Sequence, residues 1–283
     1  ADAVRAAGIA CFGPSAQAAQ LEGSKAFAKQ VMAEAGVPTA MAHVCTTADE
    51  VGRALDQFGP PYVVKDDGLA AGKGVVVTED RDVALAHAVA CLARGGDARV
   101  VVEEFLDGPE VSLFAVTDGT TVVPLQPAQD FKRAGEGDTG PNTGGMGSVS
   151  PVPDIPDELA DELVERVHRP VLAELARRGI AFNGVLYAGL MMTPDGPKVL
   201  EFNTRFGDPE TQAVLPRLRS DLAELMLAAA RPGGLNSTTL DWDRRQAVTI
   251  VLAASGYPDA PRTGDAISGL DAVADDVEVT HAG

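Results

Sequence analysis

The stretch Glu201-Phe202-Asn203-Thr204-Arg205-Phe206-Gly207-Asp208-Pro209-Glu210-Thr211 sets an acid, an amide and a guanidinium at alternate positions. Val199, Leu200, Phe202 and Phe206 mark the start of this stretch as a strand with one buried face. Alternate residues of a strand share a face, so Glu201, Asn203 and Arg205 point to one side. A carboxylate and an amide oxygen suit a hard divalent cation, and a guanidinium beside them can hold a carboxylate or phosphate at two points. A solvated polar strand face would show the same spacing, so the triplet alone leaves both readings open. Gly207-Asp208-Pro209-Glu210 adds carboxylates at a helix start, where capping is the simpler use.

Upstream, Lys198 to Phe202 pairs naturally with Gly184 to Met192 across the turn Thr193-Pro194-Asp195-Gly196-Pro197. Helices are expected from Ser24, an N-cap, to the stop signal Gly36-Val37-Pro38, and over 80–94, 156–178 and 221–230. Tyr62 to Lys65, Val75 to Thr78, Arg99 to Phe105 and Ala247 to Ala253 read as strands. Glu110 to Thr117 and Thr121 to Leu125 form a hairpin across Asp118-Gly119. Strands and helices do not alternate regularly, so the class is α+β, with mixed sheets.

Two glycine-rich segments interrupt this pattern. Asp66-Asp67-Gly68-Leu69-Ala70-Ala71-Gly72-Lys73-Gly74 lets backbone N–H groups approach phosphate oxygens, with Lys73 as a mobile charge. It is not a Walker A loop: Gly68 and Gly72 are one residue too close, Gly74 replaces Ser or Thr, and a strand follows. A plain hairpin loop fits equally well until Lys65 is considered. That lysine ends a buried strand, where it needs an anionic partner. The second segment, 137–147, holds five glycines in eleven positions together with Asp138, Asn142, Thr143 and Met146. Asp130, Lys132 and Arg133 precede it, and together they favour a substrate-binding loop over a flexible linker.

With 283 residues, 45% apolar and 23% charged, the chain has the composition of a globular enzyme of one or two domains. No stretch reaches the roughly 20 apolar residues of a membrane span. A net charge of −18 argues against nucleic acid or an anionic membrane as partner. Cys11, Cys45 and Cys91 suit neither a disulfide framework nor a metal motif, so a reducing cytoplasm is expected. The histidines at 43, 87, 168 and 281 are scattered away from the glycine loops, with His87 and His168 expected on helix surfaces. No nucleophile elbow or zinc site is present.

In combination these segments resemble the ATP-grasp superfamily, and their wording resembles the phosphoribosylamine–glycine ligase family. The matching text is GPSAQAAQLEGSKAF (13–27), DGLAAGKGV (67–75), DTGPNTGGMG (138–147) and EFNTRFGDPET (201–211). The resemblance runs essentially end to end. It implies an ATP-grasp domain over 29–236 with a small lid subdomain at about 41–104, preceded at 1–28 by the end of an N-terminal nucleotide-fold domain. Residues 237–283 would begin a C-terminal domain that is cut short.

The resemblance also implies roles. Lys25, Lys65, Gly72, Lys73 and Gly74 would contact ATP phosphates. Glu103, Glu104, Phe105 and Leu106 would read adenine through the backbone, and Glu110 would hold the ribose. Glu201 and Asn203 would bind Mg²⁺ or Mn²⁺. Arg205, Lys73 and Asp130 would serve the chemistry, with Asp130, Asn142, Thr143, Gly144, Gly145, Met146 and Arg205 facing glycine and phosphoribosylamine. The implied reaction forms glycyl phosphate from glycine and ATP, then glycinamide ribonucleotide, in a monomer without nucleic acid or membrane partners. Another ATP-grasp carboxylate–amine ligase and a non-catalytic ATP-binding fragment remain as alternatives. Asp66 departs from the small apolar residue usual in the family and adds negative charge beside the phosphate loop.

Overall fold

The computed structural model describes residues 1–68, 74–137 and 139–282. In chain order the elements are helices α1 (Asp2–Ala6), α2 (Gln20–Gly23) and α3 (Lys25–Ala35), strand β1 (Ala42–Cys45), helix α4 (Ala48–Phe58), strands β2 (Tyr62–Asp66) and β3 (Val75–Thr78), helix α5 (Arg81–Leu92) and strand β4 (Val100–Glu103). Strands β5 (Glu110–Thr117), β6 (Val122–Pro124), β7 (Gln129–Gly135) and β8 (Thr139–Ser150) lead to the long helix α6 (Asp157–Arg177). Then come β9 (Gly184–Thr193), β10 (Gly196–Asn203), α7 (Glu210–Val214), α8 (Leu222–Ala229) and β11 (Ala247–Ile250).

Side-chain caps start helices α3, α4, α5 and α8. The Ser24 hydroxyl accepts from the Phe27 amide, and Gly36 closes α3 in the left-handed region at φ 66°. Thr47 and Glu50 form a reciprocal capping box on α4. Asp80 and Asp221 cap α5 and α8.

The strands form three sheets, in the orders β1-β4-β2-β3, β10-β9-β5-β6 and β11-β8-β7. Every pairing between these strands is antiparallel, which corrects the expectation of mixed sheets. The first sheet has its own core under α4 and α5, built on Val51, Leu55, Val64, Ala84, Ala88 and Val102. The second sheet is buried on both faces. Leu113, Ala115, Leu186, Ala188 and Leu190 pack against α3 and α6, while Phe114, Val116, Val185 and Tyr187 point the other way toward Val214, Leu225 and Leu235. Burial on both sides is why β9 and most of β5 read as near-continuous apolar runs, with Ser112 the polar interruption inside β5.

Three further expectations are overturned. Residues 139–150 are not a loop: they form the twelve-residue strand β8, paired with β7 on one side and β11 on the other. Glycine lacks intrinsic strand preference, so this strand exists because both neighbours satisfy its backbone. His168 is not on the surface but fully buried, its Nε2 3.1 Å from the Leu186 carbonyl. His87 is half-buried, with Nε2 3.4 Å from the Gly74 carbonyl, so it does lie against the first glycine loop.

Burial pushes the His168 imidazole down to about 4. The native state therefore holds it neutral, a contribution fully present above the ordinary value near 6.5 and lost progressively as pH falls from there toward 4. At pH 5 the loss should be about 2 kcal/mol relative to pH 7.5. Urea midpoints at both pH values, compared with His168→Gln, check this: the variant should show a flatter dependence, and an equal slope would refute the assignment.

Candidate functional site

The N-terminus of α3 meets the start of the first glycine loop. Asp67 accepts from the Ser24 hydroxyl (3.0 Å) and the Ala26 amide (3.0 Å), and pairs with Arg99 at 2.9 Å. A carboxylate at this end of a helix is favoured by the helix dipole. Lys25 Nζ donates to the Gly68 carbonyl at 3.1 Å, which places the lysine beside the loop. Gly74 is buried where the loop rejoins β3, and its carbonyl accepts from the Asp66 amide at 2.7 Å. Gly72 and Lys73 lie outside the described residues. The Asp66 carboxylate, expected to oppose a phosphate, pairs with Arg94 at 2.5 Å, so its charge is offset.

Lys65 is buried as expected, but its anionic partner is within the protein. Its Nζ lies 2.9 Å from Glu103 Oε2 and also donates to the Leu200 carbonyl (3.3 Å). The need for a partner therefore no longer argues by itself for a phosphate. Lys29, which the sequence reading missed, reaches the other oxygen of Glu103 at 3.1 Å. Glu104 is also engaged: its carboxylate accepts from Lys198 (2.8 Å) and the Met41 amide (3.0 Å), and its own amide donates to the Met41 carbonyl. Phe105 and Leu106 make no backbone hydrogen bond among the described residues. Leu106 packs with Ala40, Met191 and Leu200 in a small apolar cluster beside Lys65.

Asn203 at the end of β10 and Arg205 just beyond it lie on one side, and Glu201 stands two residues before Asn203 on the same strand. The Arg205 Nη2 is 3.4 Å from Asn203 Oδ1, and its Nε pairs with Glu22 at 3.1 Å. Glu22, also unread from the sequence, accepts from the Thr204 amide and hydroxyl as well. The Glu201 carboxylate is exposed and has no hydrogen-bond or ion-pair partner among the described residues.

Behind these groups lies an acidic shell. Glu210 is buried and accepts from Ser112 and Tyr187, both at 3.0 Å. Lys132 bridges Asp130 (2.9 Å) and Glu110 (2.6 Å). Burial pushes the Asp130 carboxyl above its ordinary range; Lys132 pulls it back and Glu210 adds to the rise. Burial would lower Lys132, but Asp130 and Glu110 outweigh it and hold the ammonium well above its usual value. Burial and the charge on Glu210 drive the Tyr187 phenol well up, so it stays a hydrogen-bond donor.

No three His, Cys, Asp or Glu side chains cluster as a ready-made metal cage among the described residues. Glu201 and Asn203 instead offer two oxygens, an exposed carboxylate and a buried amide oxygen beside Arg205. That donor set fits Mg²⁺, which usually takes one or two protein carboxylates and fills its shell with phosphates and water.

Strand β8 brings the remaining expected residues to the same region. Gly145 has φ 127°, and a Cβ there would sit 2.3 Å from Pro209 Cδ, so the glycine permits direct contact with the Gly207–Glu210 turn. Thr143 donates to the Lys132 carbonyl and accepts from the Gly145 amide. The Gly144 amide donates to the Tyr257 hydroxyl at 3.0 Å. Asn142 is exposed, and the Met146 carbonyl accepts from Val251. Of the missed residues only Lys29 left a trace in the sequence: four positions after Lys25 it lies on the same helix face. Glu210 was read as a helix-start carboxylate and not as a site residue, while Glu22 and Tyr257 act across long separations that no local pattern marks.

Residues 23–211 match the family described as phosphoribosylglycinamide synthetase, ATP-grasp (A) domain. A phosphoribosylamine–glycine ligase of Streptomyces coelicolor is 63% identical over 274 residues, covering 97% of this chain and 64% of that protein. One from Mycobacterium bovis is 58% identical over 288 residues, covering all of this chain and 67% of that protein. The chain thus spans about two thirds of the length of these relatives. Among solved structures, the phosphoribosylamine–glycine ligase of Thermotoga maritima superposes with a TM-score of 0.79 at 39% identity, over 89% of this chain and 64% of that one. A biotin carboxylase from Campylobacter jejuni shares the fold at a TM-score of 0.70 and 18% identity, over 92% of this chain and 57% of that one. By family match, by identity along its whole length and by fold, the chain belongs to the phosphoribosylglycinamide synthetase family, the phosphoribosylamine–glycine ligases, with residues 23–211 as its ATP-grasp domain.

Proposed function

We propose that the protein joins glycine to 5-phosphoribosylamine at the expense of ATP, giving glycinamide ribonucleotide, ADP and phosphate. The observation that carries this reading is the convergence of Lys25, Lys65, Glu201 and Asn203 with strand β8 in a chain 63% identical to a ligase of that name. The four-stranded unit at about 41–104 is then the lid over the nucleotide. The backbone of Phe105 and Leu106, which makes no backbone hydrogen bond among the described residues and lies beside the apolar cluster of Ala40, Met191 and Leu200, takes the adenine. Glu110 faces the ribose, and Lys25, Lys65, Lys73 and the loop ending at Gly74 hold the phosphates.

In the first step a glycine carboxylate oxygen bonds to the γ-phosphorus as the bond to the β,γ-bridging oxygen breaks, leaving ADP and glycyl phosphate. The amine of phosphoribosylamine then bonds to the acyl carbon, phosphate departs, and the amine proton passes to solvent or phosphate. Neither step needs a protein nucleophile. Glu201 and Asn203 would hold Mg²⁺ or Mn²⁺, whose charge would offset that of the phosphate oxygens. Arg205 steadies the acyl phosphate, while Asp130 and the strand Asn142–Met146 orient glycine and the amine. Catalysis on this scheme is positioning and charge neutralisation.

The test supplies ATP, Mg²⁺, glycine and hydroxylamine and measures glycyl hydroxamate and ADP. Hydroxamate with glycine supports the reading; hydroxamate only with another amino acid overturns the substrate assignment. Lys65→Ala should lower kcat/KM for ATP by about a hundredfold or more, because a buried charge facing the phosphates is lost. A near-normal value would remove Lys65 from the site.

A further inference from the structure

Lys29 carries no role in the scheme above, yet it is among the most fully engaged cations in the molecule. Its ammonium donates to Thr39 Oγ1 (2.8 Å) and to the Ala40 carbonyl (2.8 Å), and lies 3.1 Å from Glu103 Oε1. An ammonium has three donors, so these partners saturate it. Among the described residues Lys65, on the other oxygen of Glu103, meets that carboxylate and the Leu200 carbonyl and no third partner, so these two leave one of its donors uncommitted. The side chains of Lys29, Lys65 and Glu103 are 12%, 10% and 3% exposed, so their interactions are little screened by water.

One carboxylate is therefore shared by two lysines of unequal freedom. If Glu103 had Lys65 as its only cation, turning Lys65 toward a phosphate would strand a buried, uncompensated charge. With Lys29 fixed on the opposite oxygen, the carboxylate stays compensated whichever way Lys65 points. Lys29 is also placed to do this steadily. It projects from α3 onto residues 39 and 40, where the chain enters the first sheet, and onto Glu103, where the chain leaves it.

We propose that Lys29 is a positioning residue that acts as the standing counter-ion of Glu103, so that Lys65 is released to bind the nucleotide phosphates. The inference rests on the ATP-binding reading above. Burial, with a contribution from the charge on Lys65, pushes the Lys29 ammonium below its ordinary value, and Glu103, helped by Glu104, opposes that shift.

The experiment measures Mg-ADP and Mg-ATP affinity calorimetrically for the unmodified protein, Lys29→Met, Glu103→Gln and the double variant, each checked for folding by circular dichroism. Lys29→Met should weaken binding by about tenfold or more, because Glu103 then monopolises Lys65. The double variant should bind several-fold tighter than Lys29→Met, since no carboxylate remains to retain Lys65. A lysine that merely braced the fold would give the opposite order, with the double variant no better than the single. Lys29→Met binding within twofold of the unmodified protein, or a double variant weaker than Lys29→Met, overturns the proposal. If Lys29→Met does not fold, Lys29→Gln, which keeps a donor but not the charge, carries the same comparison. Failure of the unmodified protein to bind either nucleotide would instead refute the ATP-site reading, and this inference with it.

Discussion

Glu201→Ala is expected to lower Mg-ATP-dependent turnover by at least about a hundredfold while leaving the fold intact. The two halves of this expectation come from one observation. The Glu201 carboxylate is exposed at the end of β10 and has no protein partner among the described residues, so truncating it strands nothing. Exposed substitutions of that kind usually change stability by less than about 0.5 kcal/mol. On the reading proposed here, however, the same carboxylate is the one anionic ligand offered to the cation, with Asn203 two residues on. Glycyl hydroxamate formation reads the activity and the urea midpoint reads the stability. Near-normal turnover would sink the metal assignment, and a collapse of stability would show that Glu201 is structural.

Gly145→Ala should behave in the opposite way, unfolding the site before any question of chemistry arises. Gly145 sits at φ 127°, a conformation that L residues rarely adopt, and its added Cβ would meet Pro209 Cδ at 2.3 Å, Pro209 Cγ at 3.1 Å and the Asp208 carbonyl at 3.4 Å. The proline ring cannot rotate away, so β8 and the Gly207–Glu210 turn must separate. Backbone strain and overpacking together predict a loss of roughly 2–5 kcal/mol. Separation would also move Glu210 from Ser112 and Tyr187, so substrate KM should rise in whatever protein remains folded. A shift of the urea midpoint worth less than about 0.5 kcal/mol would show that the contact is not a tight one.

Much of the fold was legible because its signals are short. Ser24 and Gly36 bound α3 through contacts of three or four residues. The hairpin of β9 and β10 and the alternation of Glu201, Asn203 and Arg205 depend on spacing within one strand or turn. The Thr47-x-x-Glu50 box of α4 was equally legible and was not read. The family, too, was carried by contiguous text, and the match over 23–211 agrees with it.

What only the tertiary structure decided involves partners distant in sequence. The glycines of β8 carry no strand preference, and the segment is a strand because β7 and β11 flank it. His168 has the polarity of a surface residue, but α6 turns it onto β9 and burial holds it neutral. Lys65 announced a charge that needed a partner, and the sequence could not say whether this was a phosphate or Glu103, 38 positions away. The sequence by itself determined which ions and loops this protein carries; folding decided which charges already hold one another and which remain free for a ligand, because Coulomb energy depends on distance and burial and not on order along the chain.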